Sequence, residues 1–312
     1  MRKLPVFASF KEVYAGVFSH FIQLLHIAWA PLAIWVGLSF FGNWWILNSM
    51  PIYDPEMLGA MSEGRLSEDQ FEEIYAAQKG MMAGIYTLMF VQYFLLSVAA
   101  VGFHRFVLLG ESVRGWGGLV VGRNELLYVW SLIKIVLLFS FLNILIVLAG
   151  LGISAVVGGP DALESGTSDG TWFAGVLALY FGSIFVLLPL MARSALVFPH
   201  VALGNRSELR EMWRRTKGNG WRLAGYFILV ILTATICSWL VLLPIYSLIG
   251  GGIFPTPEQL IHLRENTTLM LAQYLLGIPF TLVWTMLTIT MLSVAYREIV
   301  GLPGAAGGEP AA

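Results

Sequence analysis

Apolar and polar positions alternate along this chain in long blocks. Six stretches are apolar enough, and long enough, to be membrane-crossing helices: roughly 21–47, 81–109, 126–157, 172–198, 223–249 and 269–296. A helix needs about 20 apolar residues to cross a bilayer core, and several of these stretches exceed that, which predicts tilt or extension into the interface. Pro31, Pro189, Pro244 and Pro279 fall inside the stretches. Each removes a backbone donor and predicts a kink.

Between the blocks, shorter patterns predict surface helices. Ser67 with Gln70 makes a capping box ahead of Phe71, Ile74 and Tyr75, so a short helix is expected to run into the second span. Thr256, Pro257 and Gln259 repeat the device. Ser9 with Glu12 precedes a stripe of Phe10, Val13, Tyr14, Val17, Phe18 and Phe21, read as an amphipathic helix resting in the cytoplasmic interface. The tail 303–312, PGAAGGEPAA, has no apolar face and is expected to be disordered.

Composition agrees with the blocks. The chain is 57% hydrophobic and 12% charged over 312 residues, with a mean hydropathy of +0.76. Soluble domains carry about 25% charged residues, so a water-soluble fold would lack polar surface. The fold class predicted is all-α: a polytopic membrane bundle of about six transmembrane helices, plus short interfacial helices. One membrane domain covers 1–302, with a hint of duplication between 81–157 and 172–249. No cleavable signal peptide is evident, because the first apolar run is too long for one.

The net charge of −1 hides an asymmetry. Arg2, Lys3 and Lys11, then Arg105, Arg114 and Arg123, then Arg206 to Arg222, then Arg297 flank alternate ends of the spans. The other connections hold only Arg65, Lys79 and Arg264. The positive-inside rule therefore puts both termini in the cytoplasm. Lys134 and Arg193 lie just inside spans on that side and are expected to snorkel.

The densest charge is RSELREMWRRTKGNGWR, 206–222. Ser207 is the expected N-cap of a helix with Leu209, Met212, Trp213 and Thr216 on one face. Gly218-Asn219-Gly220 is the expected stop. Arg206, Arg210, Arg214, Arg215, Lys217 and Arg222 are the candidate lipid- or anion-binding residues, with Trp213 and Trp221 as interface anchors. The helix is expected to lie flat, its apolar side dipping into the acyl boundary and its guanidinium groups meeting phosphates. Anionic membrane lipids are the expected partners, and the loop 199–222 is a second candidate surface for a protein partner. No groove-reading module accompanies the charge, so nucleic acid is not expected.

The pattern Arg193-Ser194, Leu196-Val197, Pro199, Trp213, Thr216, Gly218, Trp221-Arg222 and Gly225, with HRFVLLGE at 104–111, resembles a group of uncharacterised bacterial six-helix membrane proteins. That group is similar to the membrane domain found beside some glycerophosphodiester phosphodiesterases. The resemblance implies an inner-membrane protein. It brings no phosphodiesterase chemistry, since the metal-binding acids of that enzyme are not in this sequence.

Catalytic spacing is missing as well. His20 and His26 are not placed as a metal pair, His104, His200 and His262 stand apart, and there is no HExxH, paired cysteine or P-loop. No metal, cofactor or enzymatic activity is expected. Gln23, Asn43, Gln92, Asn143 and Gln273 are read as helix–helix hydrogen-bonding residues. The leading expectation is a non-enzymatic envelope protein that binds anionic lipid. The alternative is a transporter or permease for a small or lipid-like solute.

Overall fold

The computed structural model describes residues 2–49, 67–112, 115–158, 171–248 and 266–302. Among them every regular element is helical: α1 Val6–Ile27, α2 Trp29–Ser49, α3 Glu68–Leu109, α4 Arg123–Gly158, α5 Thr171–Ala195, α6 Val197–Ala202, α7 Leu209–Arg215, α8 Gly220–Leu248 and α9 Thr267–Ile299. The capping signals at 256–259 and the tail 303–312 lie outside the described residues. Five helices are long and apolar enough to cross a membrane, or six if the bent pair α1–α2 counts as one span. Their outer faces remain apolar and exposed, as at Leu137, Phe141 and Leu148 on α4 and Leu240 on α8. A lipid-facing surface requires such faces.

The first span departs most from expectation. It is not one helix over 21–47 but two, meeting at 86° across Ala28. The connection from α3 to α4 holds this corner. The Ala30 N–H, which has no partner inside α2, donates to the Gly117 carbonyl at 3.1 Å. Gly118 (φ +83°) sits so close that a Cβ there would lie 2.0 Å from the Ile27 carbonyl oxygen. Trp29 and Trp116 meet edge-to-face at 4.8 Å alongside. Pro31 consequently falls in the first turn of α2, where its missing N–H costs nothing. Pro189, Pro244 and Pro279 do lie inside α5, α8 and α9.

α1 is also more than an interfacial helix. Val13 and Val17 are fully buried, and Phe10, Tyr14 and Phe21 pack against the same core, which is shared with α8 and α9. The apolar stripe is thus covered by protein, while Phe18 stays exposed. Ser9 does not cap α1. The helix starts earlier, after Pro5, and Ser9 is buried within it with no partner for its hydroxyl. Sequence spacing could not show that Pro5 would take over the start.

α3 begins directly after Ser67 and runs 42 residues without a break. At 1.5 Å per residue it is about 63 Å long, roughly twice a bilayer core. The expected outer helix and the second span are therefore one rod. α2 packs along it closely. A Cβ on Gly84 would fall 2.1 Å from the Trp45 ring, and one on Gly42 would fall 2.0 Å from Leu88.

Most of the tight core lies towards one end of the bundle. It gathers α1 from Val13 to Ile27, the last turns of α3, α5 and α9, all of α6 and the first turns of α8. Both long connections described below lie at this end, as does every described Lys and Arg except Lys79. We call it the basic end.

Candidate functional site at the basic end

The connection 203–219 carries α7, and its inner face is fixed to the bundle. Met212 is fully buried. Thr216 is fully buried too, its hydroxyl donating back to the Met212 carbonyl at 2.7 Å. Arg193 on α5 donates through Nε to Thr216 Oγ1 at 3.0 Å and through Nη2 to the Trp213 carbonyl. The Trp213 indole N–H donates to Ser194 Oγ at 2.9 Å. From α4, Lys134 Nζ donates to the Ser207 carbonyl at 2.6 Å, and Ser131 and Ser207 share a hydroxyl contact of 2.5 Å.

These contacts correct four expectations. Ser207 is not the N-cap of α7; the helix starts after Glu208 with no side-chain cap, and the serine reaches across to α4 instead. The apolar face of α7 covers the protein's own end and not the acyl boundary, because Met212 and Thr216 are sealed against protein. Arg193 and Lys134 do not snorkel towards headgroups; both turn to carbonyls of the loop. Trp213 is half-buried, with its N–H satisfied inside the fold, so it anchors the loop to α5 and not to an interface. The expected stop is present, with Gly218 at φ +81°.

With the inner face occupied, the cations point outward. Arg206, Arg210, Arg214, Arg215, Lys217 and Arg222 are all exposed, and Trp221 beside them is 63% exposed. They fall into two groups. Arg215 pairs with Glu211 at 2.5 Å, and Glu211 in turn approaches His200 Nε2 at 3.6 Å. Arg222 donates to the Leu4 carbonyl at 3.4 Å. Among the described residues Arg206, Arg210, Arg214 and Lys217 have no carboxylate partner.

Sequence reasoning missed the residue that ties the N-terminus down. Asn219 is buried. Its Oδ1 accepts from the Leu4 N–H at 3.2 Å and its Nδ2 donates to the Arg2 carbonyl at 3.0 Å. Leu4 is fully buried as a result. Only its place in a Gly-Asn-Gly stop marked this asparagine, and that pattern describes a backbone shape, not a clamp.

Beneath the loops lie buried polar links between helices. His104 Nδ1 meets Ser293 Oγ at 2.7 Å, and its Nε2 meets the Tyr128 hydroxyl at 3.3 Å. A Ser–His contact suggests a nucleophile and its base. Here both residues are fully buried, and Ser293 Oγ already bonds the Ile289 carbonyl of its own helix at 3.0 Å. The contact joins α3, α4 and α9. His200 Nδ1 similarly meets the Tyr296 hydroxyl at 2.8 Å. Arg105 makes a two-pronged contact with Glu111 at 2.6 and 2.5 Å, while Nη1 donates to the Ala202 carbonyl at 3.0 Å. That last bond satisfies an end carbonyl of α6. Among the described residues no cluster of His, Cys, Asp or Glu is placed to hold a metal ion.

Two of the amides did not behave as read. Asn43 and Asn143 each donate to the carbonyl four residues back on their own helix. Tyrosines link helices instead: Tyr14 to the Val230 carbonyl at 3.0 Å, and Tyr274 to that of Val36 at 2.6 Å. The short asparagine side chain finds its own helix first, whereas the long phenol reaches a neighbour.

These features define a class: an all-α bundle of the multi-pass membrane type, with its polar contacts concentrated at one end. Compared with known proteins, the chain matches no family model, no curated protein and no solved structure.

Proposed function

We propose that this is a bacterial inner-membrane protein, with both termini in the cytoplasm, whose basic end holds anionic lipid headgroups and serves to organise lipid in the envelope without catalysis. The observation that carries this reading is the division among the cations of 206–222. Arg206, Arg210, Arg214 and Lys217 are exposed and without carboxylate partners among the described residues, on a connection whose inner face is pinned by Arg193, Lys134, Ser131 and Ser194. A pinned scaffold offers guanidinium forks without ordering a loop at the moment of binding. Trp221, exposed beside them, suits the headgroup level.

The resemblance to the phosphodiesterase-associated membrane domain fits the same reading. Arg193, Ser194, Trp213 and Thr216, all part of the shared pattern, are the residues that hold α7 in place. On this view the pattern encodes the platform, and Arg206, Arg210, Arg214 and Lys217 on it meet the lipid.

Each cation near an anionic leaflet contributes about 1 kcal/mol. The test is native mass spectrometry of the protein released from membrane, comparing wild type with Arg206, Arg210, Arg214 and Lys217 all changed to Gln. Arg215 and Arg222 are left alone because each has a protein partner. Loss of an anionic lipid adduct from the variant, with thermal stability unchanged, supports the proposal. Identical adducts in both proteins refute it.

A further inference from the structure

A cleft of about 260 Å³ opens at the basic end between α1, the last turns of α3 and the last turns of α9. It is separate from the α7 surface. Leu24 and Phe106 contribute apolar wall, and Glu12, His20, Thr290 and Arg297 contribute polar groups. The volume sits just below the range of about 300–1,000 Å³ typical of ligand pockets, which suits a headgroup-sized molecule.

The polar groups carry both signs. Arg297 Nη2 contacts the carboxylates of Glu12 and, at 3.4 Å, Glu298. Two carboxylates thus face one guanidinium, which leaves acceptor capacity for a cation. Both contacts use the same nitrogen. Nε and Nη1 of Arg297 have no acceptor among the described residues, so donors remain for an anion. The pair is not sealed, since the Glu12 side chain is 43% exposed and that of Arg297 31%. His20 adds a polar ring to the wall, its Nδ1 lying 2.7 Å from Gln23 Oε1. At the same residue α1 departs from helical geometry (φ −115°, ψ 16°), so the wall of the cleft is not a regular helix face.

We infer that this cleft binds a phosphoethanolamine group, its ammonium on Glu12 and its phosphate on the free nitrogens of Arg297. A purely anionic headgroup would meet the Glu12 carboxylate without a cation to offer it, and a simple amine would leave the guanidinium donors unused. The zwitterion satisfies both, and the apolar wall accepts whatever the phosphate is attached to.

The test uses the full chain in detergent, with dioctanoyl-phosphatidylethanolamine as probe and dioctanoyl-phosphatidylglycerol and free phosphoethanolamine as comparators. Saturable binding of the ethanolamine lipid, tighter than the glycerol lipid, is expected. Gly16→Leu fills the cleft from α1 without touching the ion pair, because Gly16 lines it opposite Thr290. By excluding the headgroup it should weaken ethanolamine-lipid binding at least about tenfold, at an unchanged unfolding temperature. Glu12→Gln should weaken the ethanolamine lipid and spare the glycerol lipid. Free phosphoethanolamine binding as tightly as the lipid would make the source a soluble metabolite; binding of the lipid alone would make it the membrane. Equal binding of the two lipids by wild type, or full binding by Gly16→Leu, overturns the inference. So does loss of the ethanolamine probe from the variant with Gln at 206, 210, 214 and 217, since binding would then belong to α7.

Discussion

Two connections meet at the basic end, and they are built in opposite ways. The one between α3 and α4 has no helix among its described residues. It turns on Gly110, Gly115, Gly117 and Gly118, all at positive φ, and inserts its backbone into the corner between α1 and α2. The one between α5 and α8 carries α6 and α7, is held from beneath by side chains, and displays charge. In the first, the backbone path is the function of the segment. In the second, the backbone is a platform for side chains. Substitutions should therefore damage the first through shape and the second through chemistry.

The largest expected effect is at Gly118. An alanine there would place its Cβ 2.0 Å from the Ile27 carbonyl at a φ of +83°. Overpacking and left-handed strain together cost about 3 kcal/mol or more. Gly118→Ala should lower the yield of folded protein and the unfolding temperature in detergent; a wild-type melting curve would show that the corner tolerates a side chain. Arg193→Gln comes next. It removes charged hydrogen bonds to the Trp213 carbonyl and Thr216, about 2 kcal/mol. Trypsin should then cut faster at the arginines of α7, and an unchanged digest would mean the loop is held by packing alone.

Asn219→Ala is expected to cost about 1–2 kcal/mol through the two bonds to the N-terminal segment. Hydrogen exchange at Leu4 reports it directly, and retained protection there would show that Asn219 does not hold the N-terminal segment. The smallest effect on stability belongs to the cations themselves. Replacing Arg206, Arg210, Arg214 and Lys217 by Gln should shift stability by less than about 0.5 kcal/mol, as for exposed sites generally, while lipid retention collapses. A large destabilisation instead would show that these charges do structural work and that the two connections are less different than they look.

The contrast also explains what could be read in advance. Gly218 as a helix stop and Ser67 as the residue before a helix were legible, because both depend on a few neighbouring residues. Ser9 and Ser207 carried the same kind of signal and do other things: one is buried inside α1, the other bonds to α4. Lys134 and Arg193 looked like snorkelling cations because a hydropathy pattern treats everything beyond the apolar block as water or headgroup. In the fold, that space is filled by the connection 203–219. The glycines at 115, 117 and 118 were visible in the sequence, but nothing nearby indicated a corner for them to fill.

By itself, then, the sequence determined the helices, their apolar outer faces and the ends at which positive charge gathers. Those properties arise from local hydrogen bonding within helices and from the cost of placing polar groups in hydrocarbon. Tertiary structure alone decided which cations are paired, which way α7 faces, where the first span breaks and that a two-signed cleft forms between α1, α3 and α9. Each of these depends on groups far apart in the chain, as Asn219 is from Arg2 and Arg297 from Glu12. Such partners meet only when the bundle closes, and buried polar groups then take whatever acceptor the packing brings within reach.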